Sequence, residues 1–270
     1  HVEAANVTDN QAANVRMSSL AVSITLAQRG LEPVMQMTCR DRNRLAIQAD
    51  LLGASAYGIR NLLCLTGDHG KWGDHPAALN VWDMDSIHLL RMVRNMVDGP
   101  CYENGRPIPK VAPNLYIGGA ANPFAPPYEY RPMRLAKKVA AGARFVQTQI
   151  IYNVARFEEY MVRVRDLGLH ERVHIIAGVA PIRSAGAARF MADNVAGMDV
   201  PPDIVDRMAK KPKAAQPGEG VEVCLEVIEQ VRGIEGVAGI HITAINWAEI
   251  VPEIVRRAGL WPRPDPETPV

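Results

Sequence analysis

The chain has 270 residues, enough to bury one large core, and carries 30 lysines and arginines against 29 aspartates and glutamates. So even a balance leaves no global field to gather nucleic acid or an anionic membrane, and an anionic ligand has to be held locally. No apolar run approaches the roughly 20 residues that a membrane span requires.

In chain order, short apolar runs alternate with longer amphipathic ones. Residues 2–7 read as a strand. Val15, Leu20, Ile24 and Ala27 form a helical stripe that stops at Gly30, a residue suited to the left-handed end of a helix. Residues 33–38 give the next strand, and Leu45, Ala49, Leu52 and Ala56 a second helix closed by Gly58. Residues 61–65 are the third strand. A loop over 68–79 follows, then a helix over 85–97 with Ile87, Leu90, Val93 and Val97 on one face. The stretch 98–109 is an exposed excursion. A strand over 111–117 runs into Gly118-Gly119-Ala120-Ala121, and a helix over 133–141 ends at Gly142. Strands are expected at 145–151, 173–177 and 239–244. Helices are expected at 157–167, 184–194, 202–210, 221–231 and 247–258. The tail, 262–270, is proline-rich and reads as disordered or draped on the surface.

This is β-α repeated seven times, which argues for a parallel sheet, because each return to the same sheet edge needs a crossover helix. A doubly wound open sheet is the alternative, but its opening G-x-G-x-x-G is missing after the first strand. The pattern therefore reads as a (β/α)8 TIM barrel that lacks its first β-α unit, with one domain over 1–261 and a tail over 262–270. The start at His1 rather than Met agrees with an absent upstream segment. Cys39, Cys64, Cys101 and Cys224 form no C-x-x-C pair, and three of them fall in apolar segments. They read as buried thiols of a reducing cytoplasm.

Function enters through the strand ends. Leu62-Leu63-Cys64-Leu65-Thr66-Gly67-Asp68 is a buried strand that ends in a glycine and a carboxylate. Taken alone, the Gly-Asp pair reads as a turn followed by a helix cap. Polar or glycine residues recur, however, at Asn6 to Asp9, at Gln36 and Thr38, at Gly118 to Ala120, at Thr148-Gln149 and at Thr243 to Asn246. In a barrel all of these converge on one mouth, where chemistry is built. Asp68-His69 with Asp74-His75 supplies metal-ligating side chains within one loop, but that loop reads as a lid with exposed histidines, and no metal is expected.

Ala5-Asn6-Val7-Thr8-Asp9-Asn10-Gln11, Thr38-Cys39-Arg40-Asp41-Arg42-Asn43-Arg44, Leu65-Thr66-Gly67-Asp68-His69 and Ala141-Gly142-Ala143 with Thr148-Gln149 resemble the methylenetetrahydrofolate reductases, most closely the short bacterial form. The likeness runs from about Val2 to Gly259. It implies a flavin across the C-terminal mouth of the barrel and hydride transfer from reduced flavin N5 to 5,10-methylenetetrahydrofolate, giving 5-methyltetrahydrofolate for one-carbon metabolism and methionine biosynthesis.

By that resemblance Asp68 is the catalytic carboxylate. Asn6, Gln36, Thr38, Thr66, Gly67, Asp68, Gly118, Gly119, Ala120, Lys137 and Lys138 would bind the cofactor, and Gln149 and Asn246 the substrate. Lys137-Lys138 alone reads as a solvated helix face; with the resemblance the pair meets a pyrophosphate, which favours FAD over FMN. Gln36, Thr66, Met208 and Trp247 depart from the family pattern at its flavin-side histidine, an arginine, a stacking aromatic and a folate-tail arginine. The electron donor is thus NAD(P)H or a partner protein, and the chain is expected to work as an oligomer or as a subunit of a complex. The family's general-acid glutamate lies on strand one and matches no residue here, so the natural protein is expected to carry that unit upstream. Two other readings stay open: a pterin-binding methyltransferase, and a non-catalytic flavin-carrying subunit of an electron-transfer complex.

Overall fold

The computed structural model describes residues 2–262, so residues 263–270 of the proline-rich tail lie outside the described residues. It has seven strands, and their order follows the chain, β1 through β7. Two compact units can be separated, one of residues 2–120 with 137–145, the other of residues 121–136 with those from 146 onward.

The first unit holds β1 (Ala4–Val7), α1 (Ser19–Gln28), β2 (Glu32–Thr38), α2 (Arg44–Ala56), β3 (Asn61–Leu65), α3 (Ser86–Asp98) and nearly all of β4 (Tyr116–Ala121). Its strands pair in parallel, β1 with β2, β2 with β3, β3 with β4. Each helix starts at a side-chain cap: Ser18 accepts from the Ala21 amide, Asn43 from Leu45 and Ala46, Asp85 from Ile87 and His88. These caps satisfy amides that have no partner inside the helix. The register sorts the strands into two faces. Met35, Met37, Leu62, Cys64 and Ile117 are at most 1% exposed on the face against which α1 and α3 pack. Removing such side chains from water stabilises the unit by roughly 1.5–3 kcal/mol each. The other face carries Asn6, Val34, Gln36, Thr38, Leu63 and Gly118, with Gln36, Leu63 and Gly118 in one register row.

The second unit holds β5 (Phe145–Ile150) from its second residue, α5 (Val154–Asp166), β6 (His174–Val179), α6 (Ala185–Asn194), α7 (Pro202–Lys210), α8 (Gln216–Arg232), β7 (Val237–Ile242) and α9 (Val251–Arg257). β6 and β7 pair in parallel with a bulge at Ile175 and Ile176. Ile150, Tyr152, Ile182, Met191 and Met208 anchor a buried cluster around α6 and α7. The helix α4 (Arg131–Ala140) contributes its first residues to this unit and its last turn to the other.

Several sequence-based boundaries are corrected. The strand expected over 111–117 begins only at Tyr116: Val111 is 78% exposed, Pro113 has no N–H to donate, and the Asn114 amide is taken by the Ser55 hydroxyl. The helix expected over 221–231 starts five residues earlier at Gln216. Its Pro217 sits in the first turn, where a missing N–H goes unmissed. Gly220 is there for contact, since a Cβ would fall 1.7 Å from the Ile182 carbonyl oxygen. The last strand ends at Ile242 rather than 244. The helix expected over 247–258 begins as a 3-10 turn at Ala248–Ile250 and becomes α-helical at Val251. Cys39, Cys64 and Cys224 are buried free thiols, and burial pushes Cys39 and Cys224 up to about 12.

Candidate functional site

The C-terminal ends of β1, β2 and β3 are stitched together by charge. Asp9, only 2% exposed, accepts from the Thr38 amide at 2.8 Å, from the Thr38 hydroxyl at 2.9 Å and from both terminal nitrogens of Arg42 at 2.8 and 3.0 Å. A buried carboxylate is tolerated because its oxygens are met this fully. The bonds to Asp9 hold the Arg42 guanidinium above its ordinary pKa. Thr38, expected at the cofactor, thus has its hydroxyl and amide engaged with Asp9.

Asp68 lies three residues beyond β3, with its carboxylate exposed. One of its oxygens accepts from the Ala12 amide at 3.1 Å. Ala12 belongs to an unusual turn: Asn10, Ala12 and Ala13 all have positive φ, at 46°, 54° and 57°. For alanine this region costs about 1–2 kcal/mol per residue, so surrounding bonds must hold it. Gly67 has φ +90°, and a Cβ there would lie 3.0 Å from the Arg40 Cβ and 3.1 Å from that of Thr38. Only glycine fits that position. Thr66 accepts from the Ser86 amide through its hydroxyl at 3.1 Å, which ties the strand end to the start of α3. Its carbonyl accepts from the Trp82 indole at 3.2 Å.

Gln36 is half-buried within β2, and its side-chain amide makes no hydrogen bond to another described side chain. Asn6 shares its sheet face. The loop after Asp68 carries His69 edge-on to Trp82, with ring centroids 5.1 Å apart, and His75 beside Asp74 at 2.9 Å. Trp82 is a site-proximal residue that the sequence reading missed. Its proximity follows only from the loop folding back, for which no local pattern exists.

The expectation for Gly118 changes. A Cβ at Gly118 would sit 2.3 Å from the Phe145 ring, which also stacks on Tyr116 at 5.6 Å. The missing side chain makes room for an aromatic of the same unit, not for a cofactor. Gly119 points to the opposite face, where a Cβ would meet Leu90 and Lys138 at 3.6 Å. The lysine pair occupies the last turn of α4, and its members diverge. Lys138 is 7% exposed, and its Nζ donates to the Ala120 carbonyl at 2.5 Å, while Lys137 is exposed.

Gln149 and Asn246 belong to the second unit. The Gln149 side-chain oxygen accepts from the amide of Ile150 at 2.9 Å, leaving its NH2 donors. Asn246 follows β7, exposed and left-handed at φ 49°, and its carbonyl accepts from Arg183 at 3.2 Å. The Arg183 guanidinium also lies 5.6 Å from the Trp247 ring centroid. Arg183 was missed, although an arginine four residues beyond β6 is a signal of the kind used for Asp68. His241 of β7 pairs with Gly178, and burial depresses its pKa. A depression of 470 Å³ lined by Glu3, Ile24, Leu31, Glu32 and Tyr57 lies at the opposite, N-terminal ends of β1 and β2.

A parallel α/β chain that brings the half-buried Gln36 amide, an exposed carboxylate and a strained turn to the strand C-termini of its first unit is a member of the class that binds small ligands there. The model of the family "Methylenetetrahydrofolate reductase" matches residues 2–259, and the chain belongs to that family. A probable methylenetetrahydrofolate reductase (NADPH) of Caenorhabditis elegans is 28% identical over 251 residues, covering 90% of this chain and 34% of that protein. Methylenetetrahydrofolate reductase 2 of Schizosaccharomyces pombe is also 28% identical, over 90% of this chain and 39% of that protein. The chain thus spans little more than a third of the length of these relatives. An uncharacterized protein from Clostridium thermocellum that binds two copies of 5-methyl-5,6,7,8-tetrahydrofolic acid shares the fold, with a TM-score of 0.53 and 13% identity over 84% of this chain and 72% of that one.

Proposed function

We propose that this chain is a flavin-binding TIM-barrel domain, residues 1–261, that reduces 5,10-methylenetetrahydrofolate to 5-methyltetrahydrofolate. The observation that carries the reading is the exposed Asp68 carboxylate, held by a hydrogen bond from the Ala12 amide past the end of β3, in a chain matched by the family model over 2–259. The residues fit a flavin at its ring end, where the Gln36 side chain offers donor and acceptor together. At the phosphate end Lys137 is exposed and would meet an anion, with Lys138 behind it at the end of β4. Of the two, Lys137 is the exposed cation, since Lys138 is buried against the Ala120 carbonyl, and a phosphate-bearing flavin such as FAD is the expected cofactor.

When bound, the flavin supplies hydride at N5. The chain's own residues do the rest. Asp68 opposes added negative charge nearby and favours a cation, which assists opening of the folate to its electrophilic iminium form. Gln149 presents two N–H donors to the pterin, and Asn246 would contact the substrate from beyond β7. Electrons come from NAD(P)H or from a partner protein, in a cytoplasmic assembly.

The test is a visible spectrum of the purified protein, before and after incubation with FAD, followed by anaerobic mixing of the reduced form with methylenetetrahydrofolate. Flavin bands that bleach on reduction and return on adding the folate support the proposal. A protein that takes up no flavin but binds the folate overturns it in favour of a pterin-binding methyltransferase.

A further inference from the structure

The Arg40 side chain is 3% exposed although it begins the loop after β2. Its guanidinium makes four bonds in three directions. A bidentate fork grips Asp41, both contacts at 2.7 Å; Nη2 donates to the Asn10 carbonyl at 3.1 Å; Nη1 donates to the Asp68 carbonyl at 3.2 Å. It therefore joins the residues that follow β1, β2 and β3. Asn10 opens the left-handed turn whose Ala12 amide meets the Asp68 carboxylate, so Asp68 is held twice, by its own carbonyl and through its side chain. Asn10 is tied further, through its side-chain oxygen to the Arg16 amide at 2.9 Å. The neighbouring ion pair of Arg42 with Asp9 reaches Thr38 and makes no contact with Asp68.

We propose that Arg40 is the positioning residue for Asp68: one buried guanidinium locks the turn at 10–13 and the Gly67-Asp68 peptide together, and so fixes the direction of the carboxylate. The functional half of this inference rests on the reductase reading above; the structural half does not. Lysine cannot replace arginine here, because a single ammonium does not span a carboxylate and two carbonyls in a plane.

The experiment compares wild type, Arg40→Lys and Asp41→Asn. Hydrogen exchange of the flavin-free protein is read first. Arg40→Lys is expected to speed exchange about tenfold in peptides covering 8–14 and 64–70, with the β6 and β7 peptides unchanged. Asp41→Asn keeps both carbonyl bonds and is expected to leave 64–70 within about twofold of wild type. In the FAD-loaded enzyme, Arg40→Lys is expected to lower kcat about tenfold with the folate KM unchanged. Exchange that is unchanged, or that rises throughout the chain, overturns the proposal, as does kcat equal to wild type. Should Arg40→Lys not fold, faster exchange over 64–70 in Asp41→Asn overturns it as well, because the carbonyl bonds alone would then not hold Asp68. If no flavin binds, the reductase reading fails while the exchange data still judge the clamp.

Discussion

The two units solve the same problem at their strand ends in different ways. In the first, arginine–carboxylate pairs each with one buried partner, Asp9 with Arg42 and Arg40 with Asp41, bind the ends of β1 and β2, and Arg40 reaches the end of β3 through the Asp68 carbonyl. In the second, Gln149 turns its oxygen back to the adjacent backbone, Arg183 lies near an indole, and the ion pairs of Arg207 with Glu219 and Glu226 sit on helices α7 and α8. Charge fixes geometry in the first unit, while apolar packing around Ile150, Met191 and Met208 fixes it in the second.

The contrast can be broken by substitution. The largest effect is expected for Asp9→Ala, which leaves Arg42 and the Thr38 donors uncompensated; unfolding in urea should show a loss of about 3–5 kcal/mol. Asp68→Asn comes next. Asparagine still accepts from Ala12, so stability and flavin uptake should hold, but stopped-flow hydride transfer to the folate should slow about 10²–10³-fold. Unchanged turnover removes Asp68 from the mechanism. Gly118→Ala should cost about 1–3 kcal/mol against the Phe145 ring, whereas Gly119→Ala, with contacts no closer than 3.6 Å, should stay within about 1 kcal/mol. Parallel denaturation curves decide between packing and cofactor contact at this glycine pair.

The smallest effect belongs to the second unit. His241 has its folded pKa depressed below the ordinary 6.5 by burial, so the folded state takes up a proton less readily than the unfolded chain. Its contribution is therefore present above pH 6.5 and is lost as pH falls through the depressed value. Comparing melting temperatures of wild type and His241→Gln across that range should show the difference narrowing toward acid.

Much of this was legible in the sequence because periodicity records burial. The seven strands, and helix ends at Gly30, Gly58 and Gly142, follow from apolar spacing and from glycine at positive φ. The place of Asp68 just past the end of β3 was legible because an abrupt apolar-to-polar switch marks where a parallel strand emerges. Roles that depend on what folds back were not. Nothing local tells that Phe145 will fill the notch at Gly118, that Lys138 and Lys137 will diverge, or that Arg40 will reach residues 30 and 28 positions away along the chain. The first turn of α8, Gln216–Gly220, was not legible, because its proline and glycines serve a helix start and a close contact that no apolar spacing records.

Gly73 carries a consequence for anyone who would transplant parts of this protein. A Cβ there would fall 1.8 Å from the Ala13 carbonyl oxygen, and Asp74 receives the Val15 amide at 3.0 Å. The segment after β1 and the segment after β3 interlock like two halves of a clasp. A chimera that borrows one from a relative without the other would seat neither, so the pair has to be exchanged as a single cassette.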